Sequence, residues 1–331
     1  MRDPSNKTNP KRQDAASTFQ NEATGQDAAS ELMREWRCGA SRFRAIPEHG
    51  ARLCDWHLML AGGRSRPILH WPESWELADM EMIRGGNPIL FPFAGRSWHK
   101  DQIGFWEGPD GVVRPMPMHG VARQSRFELC ENRPDGFLAE MIWDAAARES
   151  YPFPCRFTVD YQFAELALTV VLTLENLGSS AIPWAAGHHF YFRLPWHEGA
   201  ERGDYRLEIS AREALRMGSH GKLLREATHP SRDLPLRYSF TEEALSNRIF
   251  IRCKSPQVRF GPKSGEEDLI ITLGEEDRPH AHYSVVTWTE TDQSPFYCVE
   301  PWMAPPNAEG NKLSHWVDPG ESARFVVRIA L

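Results

Sequence analysis

The stretch RFTVDYQFAELALTVVLTLENLG, residues 156–178, decides the fold. Phe157, Val159, Tyr161 and Phe163 alternate with Arg156, Thr158, Asp160 and Gln162. After a turn expected at Ala164–Glu165 the alternation resumes with Leu166, Leu168, Val170, Leu172 and Leu174. Successive side chains of a strand point to opposite faces, so this period of two marks a β-hairpin with one apolar face, ended by Asn176-Leu177-Gly178. The pattern recurs at the C-terminus, where Phe325, Val327 and Ile329 oppose Arg324, Val326 and Arg328. Helical periodicity is almost absent. Thr241–Leu245 is a turn or two at most, and a short helix is expected at Glu31–Trp36, capped by Ser30. No internal repeat or composition break divides residues 38–331, so the reading is all-β, one large antiparallel domain of sandwich or barrel type over 31–331. Residues 1–30 are polar and nearly free of large apolar side chains. Such a segment buries too little to offset its ordering entropy and is expected to be a disordered tail.

Composition narrows the function classes. The 331 residues suffice to bury roughly three quarters of the unfolded surface, so the chain needs no staples. Asp plus Glu (45) exceeds Lys plus Arg (38), a net charge of -7, which speaks against nucleic acid or an anionic membrane as partner. No run of 18 apolar residues and no apolar N-terminal segment is present, so neither a membrane span nor a secretory leader is expected, and the expected location is the cytoplasm. Cys38, Cys54, Cys130, Cys155, Cys253 and Cys298 form no CxxC pair and no finger spacing with histidine. They read as mostly buried free thiols.

Four segments depart from plain strand patterning. In Gly85-Gly86-Asn87-Pro88-Ile89-Leu90-Phe91-Pro92-Phe93-Ala94-Gly95-Arg96, glycines and prolines set turns around a short apolar strand and deliver Arg96 at its end. Its planar fork of donors suits sugar hydroxyls or a carboxylate, the alternative being a surface arginine after a turn. In Met118-His119-Gly120-Val121-Ala122-Arg123, a histidine directly before glycine points to a ring held where backbone passes close by; a structural or exposed histidine is the alternative. In Gly187-His188-His189-Phe190-Tyr191-Phe192-Arg193-Leu194-Pro195, alternation places His188, Phe190, Phe192 and Leu194 on a core face and His189, Tyr191 and Arg193 on a polar one, where His189 can act as an acid. In Phe296-Tyr297-Cys298-Val299-Glu300-Pro301-Trp302, Glu300 is expected to end an apolar strand before a proline. A desolvated carboxyl there has a raised pKa suited to a general base, whereas a strand-end glutamate paired with a base is the alternative. Trp302 offers an apolar platform of the kind sugars stack on.

Other constellations are missing. There is no GxSxG, P-loop, dinucleotide fingerprint or HExxH. Glu266-Glu267-Asp268 reads as a solvated turn rather than a calcium loop. His280-Ala281-His282 has strand spacing for chelation, but the sequence offers no third ligand, so no metal is assigned.

Taken in order, the four segments resemble the aldose 1-epimerase (galactose mutarotase-like) family. The matching pieces are Pro88–Arg96, His119-Gly120-Val121-Ala122-Arg123, His189-Phe190-Tyr191-Phe192 and Glu300-Pro301-Trp302, joined by Tyr151-Pro152-Phe153-Pro154 and Pro319-Gly320-Glu321-Ser322. The resemblance spans about residues 40–331. It implies a twisted antiparallel β-sandwich (a supersandwich) with a sugar cleft, and cofactor-independent isomerase chemistry on a hexose. Glu300 would take the proton of the anomeric hydroxyl and His189 would protonate the ring oxygen. His119, Arg96, Tyr191 and Trp302 would hold the sugar. Three features depart from the family pattern. His188 stands where galactose-active members often have Asn. An acidic residue that grips hydroxyls has no located counterpart beyond the candidates Glu267 and Asp268. Arg84-Gly85-Gly86-Asn87-Pro88 resembles the branch acting on hexose 6-phosphates, in which Arg96, Lys100 or Arg123 would meet the phosphate. Hexose-6-phosphate 1-epimerase and a non-catalytic carbohydrate-binding protein of the same fold therefore remain alternatives; binding alone would not need the acid–base pair.

Overall fold

In a computed structural model describing residues 32–218, 223–225, 235–265, 267–275 and 280–331, the hairpin forms as the alternation dictates. Cys155–Ala164 pairs antiparallel with Ala167–Asn176, and Phe157, Val159, Tyr161, Leu168, Val170, Leu172 and Leu174 are all buried. Ala164 faces Ala167, so the turn is Glu165-Leu166, one residue later than the pattern places it, and Leu166 is exposed. The C-terminal strand Ser322–Ala330 lies against the second hairpin strand, setting Phe325 beside Leu172, Val327 beside Val170 and Ile329 beside Leu168. One apolar surface thus continues across three strands.

These strands belong to a 15-stranded sheet. Beyond Ser322–Ala330 its path continues through Leu269–Leu273, Arg248–Pro262, Ser284–Trp288, Phe296–Trp302, Gly187–His188 and Ile89–Leu90. A four-stranded sheet beginning with Arg34–Cys38, Ser41–Ile46 and Arg52–Met59 covers the hairpin end. Its Phe43 stacks on Phe163 at 4.3 Å, and Trp36 stacks on Phe137 at 5.2 Å. The result is a twisted antiparallel β-sandwich forming a single domain. Ala145–Ser150 is the one α-helix among the described residues, its first turn capped by Asp144, and no described helix is long and apolar enough to cross a membrane.

The helix expected at Glu31–Trp36 is not formed where it can be observed: Arg34–Cys38 is a strand. Burying Trp36 between Phe137 and Phe163, with ladder bonds to Ser41–Ile46, outweighs a local helical preference. Ser30, Glu31 and the tail over residues 1–30 lie outside the described residues. Glu243–Leu245 is a single 3-10 turn, as the sequence allows. All six cysteines are free; Cys54, Cys155 and Cys298 are buried, Cys38 and Cys253 are half-buried, and Cys130 is exposed.

Phe43 is fully buried between the two sheets. Phe43→Ala is expected to cost about 3–5 kcal/mol, read as a lower midpoint in urea unfolding with an unchanged slope.

Candidate active site

Three neighbouring strands carry the site. Glu300 and Trp302 share one face of Phe296–Trp302 with Cys298, while Tyr297 and Val299 turn into the main core. Glu300 does not end this strand, contrary to the sequence expectation: pairing continues through Pro301 opposite Val285 and Trp302 opposite Ser284. The Met303 N–H donates to the Ala186 carbonyl, so by strand alternation the nitrogen of Pro301 faces the same side, level with His188. The His188 carbonyl that Pro301 cannot serve accepts from the Trp302 indole N–H instead (3.2 Å), and the neighbouring strand breaks just beyond it, between Gly187–His188 and Tyr191–Arg193.

The interruption is held by Asn87. Its Oδ1 accepts from the His189 backbone N–H (3.1 Å), and its Nδ2 donates to the Tyr161 hydroxyl (2.8 Å) and to His188 Nδ1 (3.1 Å). Gly86, at φ +63, lets this turn approach the Leu53 carbonyl, where a Cβ would collide. His188, Phe190, Phe192 and Leu194 are buried as alternation predicts, with the His188 ring stacked on Phe190 and Phe325. His188 is therefore a core residue. Its pKa is pushed down to about 3 by burial.

On the other face, His189 Nε2 lies 3.5 Å from Glu300 Oε2. The His189 ring stacks on Tyr191 at 4.6 Å and meets His119 and Trp288 edge-on. Burial, then His119, Arg52 and Arg123, hold the imidazole well below its usual 6.5. Burial drives the Glu300 carboxyl well above 4.5, partly offset by the Trp302 indole N–H, which also reaches the His188 carbonyl at 3.2 Å. His119 occupies the left-handed region (φ +71), as does Gly120 behind it, where a Cβ would strike the Phe91 carbonyl. The Gly95 N–H donates to His119 Nδ1 (3.2 Å), leaving the ring proton on Nε2, and burial with Arg123 and Arg96 pushes the pKa down to about 3. His119 is thus a neutral hydrogen-bond donor.

These residues enclose a cavity of about 370 Å³, within the range of small-molecule sites. Glu300, His189, His119, Arg96, Trp302 and Tyr191, all singled out from the sequence, line it together. Arg84 and Arg123 line it too, whereas Lys100 is exposed in a separate hollow. Glu267 pairs with Arg66 and His197, and Asp268 with Arg206 and Arg259, away from the cavity. Glu81 is the lining carboxylate besides Glu300. Arg52, Glu81 and Trp288 escaped the sequence reading, and Asn87 stood in a quoted segment without a role. Arg52 sits in an ordinary strand pattern, yet it is fully buried, donating to the Ile83 and Gly85 carbonyls with its pKa lowered to about 10 by burial, and it remains charged beneath the site. His189, Cys298 and Glu300 each offer one ligand-type atom within 4.8 Å of the others, so a metal ion could also be held there.

The aldose 1-epimerase family model matches residues 43–330. The chain belongs to the aldose 1-epimerase family. Among curated relatives, the plasmid-encoded protein LacX of Lactococcus lactis subsp. lactis is 27% identical over 258 residues, covering 72% of this chain and 81% of its own length. A galactose mutarotase related enzyme from Lactobacillus acidophilus superposes with a TM-score of 0.72 at 16% identity, covering 90% of this chain and 97% of its own. A galactose mutarotase-like protein from Clostridium acetobutylicum gives 0.70 at 19%, covering 89% and 93%. These two share the fold with this epimerase-family chain, and the fold places the cavity at the interrupted end of the sheet.

His188→Asn is expected to cost about 2–4 kcal/mol, because the smaller amide opens a cavity where the ring stacks on Phe190 and Phe325. A histidine whose native pKa is depressed stays unprotonated while the unfolded chain takes up a proton, so stability is full above 6.5 and falls as pH drops toward 3. Thermal unfolding across that range should show a shallower acid slope in the variant than in the wild type.

Proposed function

We propose that the chain is an aldose 1-epimerase interconverting the α and β anomers of a hexose, with Glu300 as base and His189 as acid. The observation carrying this reading is the 3.5 Å contact between two buried titratable groups facing a sugar-sized cavity. The ring oxygen and the anomeric hydroxyl of a hemiacetal sit on one carbon, so groups this close can address both. Glu300 takes the hydroxyl proton while His189 gives its proton to the ring oxygen. The C1–O5 bond breaks, C1–C2 rotates, and reclosure on the other aldehyde face returns both protons.

The proton count favours this division of labour. The pair needs one proton, and burial assigns it to the carboxyl, leaving a neutral acid beside a neutral imidazole before substrate arrives. Substrate hydroxyls and the Arg96 fork supply hydrogen bonds that support the carboxylate–imidazolium form after transfer across the contact. Ring opening then returns the pair to its neutral distribution, the one a desolvated site prefers, so the same burial that raises the charged state lowers the open-chain intermediate. His119, a neutral donor at Nε2, and Arg96 would hold hydroxyls, with Trp302 and Tyr191 as apolar walls.

A phosphorylated sugar is the second reading. It is favoured by Arg123, whose Nε is buried without a hydrogen-bond partner, and by Arg84 and Arg96 lining the same cavity. Arg84 is partly committed to Glu290 and lies over Trp288.

Polarimetry of freshly dissolved α-D-glucose, α-D-galactose and glucose 6-phosphate tests both readings. Glu300→Gln and His189→Asn should each lower kcat by about 10²-fold or more; a normal kcat in Glu300→Gln would sink the mechanism. If the ester is the substrate, Arg123→Ala should raise its KM at least about tenfold with a smaller change in kcat. Activity requires a singly protonated pair, so kcat/KM should be flat through neutral pH. The acid limb, where His189 gains a second proton, should lie below 6.5 and the alkaline limb far above 4.5; an acid limb centred at or above 6.5 would contradict the burial argument.

A further inference from the structure

Three histidines meet outside the cavity, beside the strand that carries Glu300. His280 and His282 precede Ser284–Trp288, and His315 opens His315–Val317, which pairs with Ile182–Trp184. One ring nitrogen of each lies within 4.8 Å of the others. The ring centroids are 4.1 Å apart for His280 and His315, 5.2 Å for His280 and His282, and 6.1 Å for His282 and His315. The sequence supplied the first two as a chelating pair and lacked the third, which the fold delivers from a distant strand.

Two of the rings are oriented by backbone carbonyls. His282 Nδ1 lies 3.0 Å from the Leu313 carbonyl and His315 Nε2 lies 3.2 Å from the Met303 carbonyl. A carbonyl only accepts, so each of those nitrogens carries the ring proton and the opposite nitrogen keeps its lone pair. Metal-ligating histidines are fixed in the same manner, by donating the second ring N–H to a carbonyl or carboxylate. The exposed His280 completes the group; its Nδ1 accepts from the His282 backbone N–H (3.3 Å), a bond the ring would give up on turning a lone pair to an ion.

We propose that His280, His282 and His315 form a three-histidine site for a divalent transition metal of the zinc type, with the fourth position open to water. Imidazole donors select zinc, nickel or copper over magnesium and calcium, which take oxygen ligands. In a tetrahedral site with metal–nitrogen bonds of about 2.1 Å the ligand atoms stand about 3.4 Å apart, so side-chain adjustments of about 1.4 Å at most close the group. The ion would pin the segment from Met303 to Leu313. That segment holds Asn307, whose N–H donates to the Arg96 carbonyl and whose Oδ1 accepts from the Trp98 N–H. Its effect is to brace the wall behind Arg96, not to take part in chemistry at Glu300.

Equilibrium dialysis of metal-stripped full-length protein against zinc chloride, paired with thermal unfolding, tests the site. Wild type and Glu300→Gln should each bind one zinc per chain and gain thermal stability with zinc. His280→Gln and His282→Gln should bind at least about tenfold more weakly and lose most of that gain. Zinc-free unfolding of each variant, measured alongside, gives the stability change that belongs to the substitution itself and separates ligand loss from misfolding. Equal affinity in wild type and His280→Gln overturns the proposal. So does zinc lost in Glu300→Gln but kept in the histidine variants, which would place the ion at His189, Cys298 and Glu300, and so does affinity no tighter than millimolar.

Discussion

One buried amide holds the parts of this molecule in register. Asn87 takes its own N–H to the Leu53 carbonyl of the small sheet, donates to the Tyr161 hydroxyl of the central hairpin and to the core ring of His188, and accepts from the backbone of His189. A primary amide has two donors and one carbonyl acceptor, and all are used in a place without water. A half-satisfied amide there would cost more than an apolar residue, so the arrangement works only when both sheets, the turn at Gly86 and the interrupted strand stand in their native positions. The placement of His189 is therefore a property of the whole sandwich.

The interruption at His189-Phe190 and the proline at 301 solve one problem from two sides. On the side facing Phe296–Trp302, Pro301 has no N–H to offer the His188 carbonyl, which the Trp302 indole N–H reaches instead, while the His189 N–H points to the opposite side, to the Pro88 carbonyl (3.2 Å) and Asn87 Oδ1 (3.1 Å). The indole thus satisfies the carbonyl opposite Pro301, and Gly187 lies flat against Trp302, where a Cβ would collide with the indole. Glu300 is buried beside His189, in a setting that strongly disfavours its charge. The side chains proposed for chemistry occupy a stretch of sheet whose ordinary pairing has been given up to seat them.

The sandwich was legible because period-two alternation is a local signal: Phe157 to Phe163, Leu168 to Leu174 and Phe325 to Ile329 went to the core as read, and Leu166 did not. Boundaries were less legible. Ala164-Glu165 and Glu165-Leu166 are equivalent turns to a pattern, and only the Ala164–Ala167 pairing decides between them. Trp36 left a helix for a strand because its partners, Phe137 and Phe163, lie about a hundred residues away. The six cavity residues could be picked out because each sits in a segment with unusual Gly, Pro or His content. Arg52, Glu81 and Trp288 could not, since their positions look like ordinary strand or loop and acquire meaning only from what folds against them. His315 is the same case: a lone histidine in sequence, the third member of a cluster in space.

The charges around the cavity pull on one another in a way that bears on its ligand. Arg52 lies beneath the site and Arg84, Arg96 and Arg123 around it, against Glu81 and Glu300. In a low-dielectric enclosure Arg52 and Arg123 help hold His189 neutral, adding to burial and to His119. A neutral sugar leaves that field in place, so all the support for an imidazolium must come from hydroxyl contacts. An anionic group seated on Arg123 would cancel part of the field and raise the proton affinity of His189 just as the substrate arrives. A phosphorylated sugar would thereby help protonate the acid that opens its own ring. The under-partnered Arg123 guanidinium thus bears on catalysis as well as on recognition.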